Sequence, residues 1–260
     1  MTGFGCGNKS VKVGRVGIGL ASVANGDNRP MARATVTRML VGGFLAPDTV
    51  APGERVVVNS WVVRHPDATV LVDTGLAEHL PPEDVATMRF TRTPITDALK
   101  AIGIAPGDID LVVNCHLHAD HAGGNVHFRG TPILVQPAEL EAASGDPDYT
   151  VAAEADLADA RWEVRDGEHE PLDGIRVIPT PGHSPGHQSV AVDTDAGRLL
   201  LAGQIFRDAS GFARAVTALR LAEAGYAEPP EYPEWLPHLL ELEPYRVTFG
   251  HDHAIWQPDA

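Results

Sequence analysis

Between Cys115 and Gly124 the chain reads CHLHADHAGG, which places His116, His118, Asp120 and His121 in one tight loop. The run before it, DLVVNC (Asp110–Cys115), has the length and apolar character of a short buried strand. Four such side chains crowded at a strand end repel one another when charged, and lose hydration when neutral. They are costly there unless a metal or hydrogen bonds satisfy them. Gly123 and Gly124 let the backbone turn sharply away afterwards. Residues two apart in an extended segment point the same way, so His116 and His118 can share one ion. Asp120 and His121 are turned toward a neighbouring position, and the spacing predicts two adjacent metals.

The rest of the chain reads as strands in runs with helices between them. ATVTRML (from Ala34), RVVVNSWVVRH and ATVLVDTG are rich in β-branched residues and separated by Pro, Gly and Asp, which predicts an antiparallel meander. PITDALKAI, Pro94–Ile102, opens on proline and stops at Gly103, the punctuation of a helix. TPILVQ is a further strand and PAELEAAS a helix begun by Pro137. The acidic stretch Thr150–Ala160 is expected to be helical and Glu163–Gly174 to carry turns. IRVIPT, HQSVAVDT, GRLLLAG and RVTFG complete the strands, and Phe212–Ala224 and Glu234–Leu242 the helices. This order predicts two sheets face to face with helices outside.

With 260 residues, 43% of them apolar, the chain can bury a large core. The formal net charge of -15 repels phosphate backbones and anionic lipid, so neither nucleic acid nor membrane is an expected partner. Cys6 and Cys115 are too few for a disulfide framework, and a cytoplasmic location is expected. Residues 1–30 are read as a disordered N-terminal extension and residues 31–260 as the working domain. Homodimerisation is left open. Pro81–Pro94 is read as a substrate lid, a dimer contact or a plain loop.

Two more histidines follow predicted strand ends: His183 in VIPTPGHSPGHQSV and His251 in VTFGHDHAIW. Imidazole and carboxylate donors without thiolate suit zinc, iron, manganese or cobalt. Asp73, at the end of VLVDTG, is placed to orient a ligating imidazole from behind. His65, His79, His127, His169 and His238 are given no role, and His187 and His253 are read as backbone-bonding residues. Met39, Phe44, Met88, Phe90 and Phe212 are read as core residues before an acyl-binding wall.

HLHADH, the DTG strand end, TPGHSPGH and FGHD, in this order, resemble the metallo-β-lactamase superfamily over roughly Ala34 to Trp256, and within it the N-acyl-homoserine lactonases. The resemblance implies a four-layer αββα sandwich of two mostly antiparallel mixed sheets, an α+β arrangement with the metals at one edge. By position it implies His116, His118 and His183 around one ion and Asp120, His121 and His251 around the other. The lactonases add a bridging aspartate after the LLLAG strand and a tyrosine three residues later; here those positions are Gln204 and Arg207. The expectation is a two-metal site without a bridging carboxylate, with Gln204 a weak ligand or hydrogen-bond donor; a one-metal enzyme is the rival.

The expected function is opening of a cyclic ester by metal-bound hydroxide. Asp120 would pass a proton to the leaving oxygen, and Arg207, if turned inward, would stabilise the developing charge. A β-lactamase, another ester or thioester hydrolase, and a non-catalytic metal- or ligand-binding descendant are the alternatives.

Overall fold

The computed structural model describes residues 33–46 and 52–258. The expectation for residues 1–30 and Cys6 therefore lie outside the described residues. Chain order runs β1 (Thr35–Leu45), β2 (Arg55–Arg64), β3 (Thr69–Val72), α1 (Pro82–Met88), β4 (Thr91–Arg92), α2 (Ile95–Ala101), β5 (Leu111–Val113), β6 (Pro132–Val135) and α3 (Pro137–Gly145). It continues with β7 (Arg161–Val164), β8 (His169–Leu172), β9 (Ile175–Pro179), β10 (Gln188–Thr194), β11 (Gly197–Leu201), α4 (Ala209–Glu223), α5 (Leu236–Glu241), β12 (Arg246–Thr248) and β13 (Ile255–Trp256).

These strands form two mixed sheets, ordered β4-β1-β2-β3-β5-β6-β7 and β13-β12-β11-β10-β9-β8. The expected meander is β1-β2-β3, antiparallel throughout, with a bulge in β1 between Leu40 and Gly42. From β3 the first sheet turns parallel through β5, β6 and β7. In the second sheet, β11 and β12 are the parallel pair.

Alternation along the strands explains the layers. Trp61, Val63, Val70, Val72, Val113 and Leu134 of the first sheet meet Val177, Val190, Val192, Leu199 and Leu201 of the second. The intervening residues face outward into helices. Leu71, Val112 and Ile133 pack on Ile95 and Leu99 of α2, while Ala191, Leu200 and Val247 pack on Phe212, Val216 and Leu239 of α4 and α5. Both faces of each sheet are thus covered, which is why several strands read as continuous apolar runs. The result is the expected αββα sandwich.

Three sequence expectations need correction, in whole or in part. Thr150–Ala160 is a succession of turns, because Asp156 takes a left-handed backbone (φ +56°) that ends any helix. Its acidic groups have tertiary partners instead: Arg129 forks onto Asp156, and the Glu154 carboxylate accepts the Glu78 and His79 backbone N–H groups. Glu163–Gly174 is not merely turns, since β7 and β8 lie at the outer edges of the two sheets. Their charged side chains, and Pro171 in β8, are the composition of edge strands and disguise them as loops. Pro81–Pro94 contains α1 and β4 rather than an irregular loop, and no residue of α1 is buried. Among the described residues no helix is long and apolar enough to cross a membrane.

Candidate metal centre

The donor residues follow the C-terminal ends of strands at one edge of the sandwich. His116–His121 follow β5, Asp73 follows β3, His183 follows β9, Gln204 follows β11 and His251 follows β12. β3 and β5, and likewise β11 and β12, are parallel neighbours, so these loops open on the same side. The turn after His121 is held by contact: a Cβ on Gly123 would lie 2.0 Å from the Ala77 backbone nitrogen.

Two donor sets result. His116 Nε2 lies 3.0 Å from His118 Nδ1, which lies 3.1 Å from His183 Nε2. Beside them, His251 Nε2 lies 3.1 Å from His121 Nε2 and 3.2 Å from Asp120 Oδ2. Ligand-capable atoms of His116, Asp120 and His121 also fall within 4.8 Å of one another, so the sets adjoin at His116. The six residues expected as ligands are therefore brought together.

Hydrogen bonds fix which ring nitrogen faces inward. His121 Nδ1 bonds the buried Asp73 carboxylate at 2.8 Å, whose other oxygen accepts the Cys115 N–H. His251 Nδ1 donates to the Val57 carbonyl at 2.8 Å. The His251 loop is itself pinned by Asn59, whose amide donates to the Phe249 and Asp252 carbonyls. Both rings thus direct Nε2 toward the centre, the arrangement that leaves a lone pair for a cation. Asp73 occupies the orienting position expected of it. His187 is held differently: Nδ1 meets Thr180 Oγ1 at 2.9 Å, and Nε2 accepts the Gln204 backbone N–H at 3.0 Å. With both nitrogens engaged it has no free donor, in keeping with its reading as a backbone-bonding residue. His253 is exposed and stands apart from both sets.

Electrostatics divide the two sets. Burial pushes His116 well below the ordinary imidazole range, burial lowers His118, and burial with the neighbouring imidazoles brings His183 down to about 3. These rings are neutral at pH 7. Burial acts the same way on His121, but the Asp120 and Asp73 carboxylates and the Gln204 side chain overcome it and raise the ring to about 9. Burial would raise the Asp120 carboxyl, yet His121 and His251 hold it well below the usual carboxylate range.

The donor set fits a divalent ion. Ring nitrogens of His116, His118 and His183 converge at 3.0 and 3.1 Å with no acidic side chain among them, and His116 Nδ1 is buried without a partner. Three neutral imidazoles in one group and two with a carboxylate in the other are donor sets that bind zinc and its neighbours.

The centre opens into a cavity of about 470 Å³. It is lined by apolar Phe44, Ala46, Val56 and Met88, by His118, Asp120, Gln204 and His251 of the centre, and by Asp146, Asp148, Tyr149 and Arg207; the Phe44 ring lies edge-on to His251 at 5.8 Å. Phe90 packs on Phe44 with tilted rings at 5.5 Å, whereas Met39 and Phe212 are buried in the core, as read. Gln204 has its side chain at the cavity and against His121. Arg207 lies at the cavity, but its guanidinium is paired with Glu54 at 3.2 Å and Asp208 at 3.3 Å. Sequence reasoning missed Glu139, Asn59 and Thr180, which support the ligand loops from behind.

This edge-of-sandwich arrangement is that of a metal-dependent hydrolase, and the chain belongs to the Metallo-beta-lactamase superfamily, whose family model matches residues 53–257. Its relatives narrow the comparison. It is 30% identical over 223 residues to an N-acyl homoserine lactonase of Bacillus thuringiensis, covering 78% of this chain and 85% of the relative. It is 34% identical over 167 residues to an N-acyl homoserine lactonase of a Bacillus species, covering 59% of this chain and 66% of that one. Among solved structures, a B. thuringiensis AiiA variant with N-decanoyl-L-homoserine bound at its active site superposes with a TM-score of 0.64 and 26% identity, covering 86% of this chain and 95% of that one.

Proposed function

We propose that the protein opens cyclic esters of the N-acyl-homoserine lactone class, using two divalent ions, with zinc the first candidate and iron, manganese or cobalt the others. His116, His118 and His183 would hold one ion and Asp120, His121 and His251 the second. The observation that carries this reading is the pairing of two adjoining donor sets with a cavity that Phe44, Ala46, Val56 and Met88 also line. Bound divalent ions supply Lewis acidity toward the ester carbonyl and lower the pKa of water toward about 7.

The chain's own residues supply the rest. Phe44 and Met88 offer a surface for an acyl chain, so the lactone ring is directed toward the donor sets. Asp120, kept ionised beside His121 and His251, sits where it can accept a proton and return it to the alkoxide released on ring opening. Gln204 contributes a neutral amide where the lactonases carry an aspartate, so the sets are expected to be joined without a protein carboxylate between them. Arg207, paired with Glu54 and Asp208, shapes the cavity mouth and has no catalytic role in this reading.

The test is metal content per chain by elemental mass spectrometry on wild type and Gln204→Asp, purified without chelator, with lactone and β-lactam hydrolysis assayed on the same samples. Two equivalents and lactone turnover in the wild type are expected. One equivalent in the wild type, rising to two in the aspartate variant, would refute the two-metal reading. β-Lactam turnover without lactone turnover would refute the substrate class.

A further inference from the structure

Glu139 belongs to neither donor set, yet both ligand loops of the first set converge on it. It lies in the first turn of α3 and is 1% exposed. Its Oε1 accepts the Leu117 backbone N–H at 2.8 Å and the Tyr149 hydroxyl at 2.7 Å. Its Oε2 accepts the Ser184 hydroxyl at 2.7 Å and the Gly186 N–H at 3.1 Å. Leu117 separates His116 from His118, Ser184 follows His183, and the Tyr149 ring packs on His118 with centroids 4.6 Å apart. The fit is close enough to dictate sequence: a Cβ at Gly186 would lie 2.2 Å from the Glu139 backbone nitrogen.

All four donors are neutral, so no cation offsets the carboxylate in a buried place where charge is costly. Only a carboxylate accepts at both terminal oxygens, so the four bonds already select this residue type, and the neighbouring donor set gives its charge a further use. His116, His118 and His183 are three uncharged ligands, while the second set contains Asp120 and rests on Asp73. A divalent ion in the first set would therefore find no charge among its own ligands, and Gln204 offers none.

We propose that Glu139 is the positioning residue of the His116, His118 and His183 set, tying its two loops together and supplying the buried negative charge that the set lacks. The inference rests on the metal-binding part of the reading above and not on the lactone. Removing an outer partner of a metal ligand typically weakens metal binding 10- to 100-fold. Glu139→Gln keeps the shape, loses the charge and turns an amide donor toward the Gly186 N–H.

The experiment is zinc titration against a chromophoric chelator on wild type, Glu139→Gln, Ser184→Ala and His183→Ala, with thermal unfolding of each metal-free protein. His183→Ala identifies which equivalent belongs to the set. Glu139→Gln is expected to weaken that equivalent about 10- to 100-fold and the other by no more than about threefold. Ser184→Ala, a milder change that deletes one of the four donors, is expected to move the same equivalent in the same direction. If Glu139→Gln leaves that equivalent within about threefold, or weakens both equally in step with the unfolding temperature, Glu139 is only structural and the inference falls. If His183→Ala leaves both equivalents intact, the set is no ion site, and the metal reading falls with it.

Discussion

The carboxylate behind His121 gives the sharpest test of the second donor set. Asp73→Asn preserves shape and can keep accepting the Cys115 N–H, but presents an amide donor to His121 Nδ1 in place of a carboxylate at 2.8 Å. The ring must then accept at Nδ1 and carry its proton on Nε2, the atom that faces Asp120 and His251. Two effects on zinc binding follow, with opposite signs. Loss of the orienting carboxylate should weaken the equivalent that needs His121 by 10- to 100-fold, about 1.4–2.7 kcal/mol. Against this, the metal-free wild-type ring titrates at about 9, so zinc must displace a proton at pH 7, at a cost of roughly 2–3 kcal/mol that vanishes by pH 9. Removing Asp73 removes part of what holds that proton. The wild-type affinity should therefore climb about tenfold per pH unit between 7 and 9 while the variant climbs less steeply, and the gap should be widest at pH 9. Chelator competition at pH 7, 8 and 9, with calorimetry in two buffers to count released protons, measures both slopes. Parallel curves, or equal affinities at pH 9, would refute the assigned roles of Asp73 and His121.

Stability of the metal-free protein should fall as pH rises from about 6.5 through 9, because the folded state holds the His121 proton more tightly than the unfolded chain; urea unfolding with and without zinc reads this, and a flat profile without metal contradicts it. Phe44→Ala should raise KM for a decanoyl lactone about tenfold and by more than for a butanoyl lactone, since the longer chain can cover more of the Phe44 and Met88 surface; equal effects on both would place the acyl chain elsewhere. Trp61→Ala, at a fully buried position between the sheets, should cost about 3–5 kcal/mol of stability in urea unfolding, and a loss below about 1.5 kcal/mol would mean that the two-sheet core tolerates the void.

The centre was legible in the sequence to the extent that its donors are local. His116, His118, Asp120 and His121 share one loop, and their crowding is visible without any fold. His183, His251 and Asp73 required the further step of placing each at a strand end, which the β-branched runs before them allow. What stayed hidden depends on tertiary contact. Glu139 and Glu141 stand two apart in the same helix, one buried among four donors and the other exposed, and nothing in PAELEAAS separates them. The Val57 carbonyl that orients His251 belongs to a strand of the other sheet. Thr150–Ala160 misleads because its carboxylates look like a solvated helical face, whereas Asp156 and Glu154 are tied to Arg129 and to the segment at Glu78 and His79. β7 and β8 misled for the converse reason, since edge strands carry the charges expected of loops.

The spread of the donors along the chain also sets a timetable. During synthesis the His116–His121 loop emerges first, then His183, and His251 only with β12, many seconds after the loop at ~5–20 residues per second. In that interval four potential ligands in one loop are exposed without the residues that select their partners. A cation captured then would be held by whichever of the four it met. The two-sheet topology thus makes correct loading a late event of biosynthesis, and metal supplied during folding and metal supplied afterwards need not reach the same final occupancy.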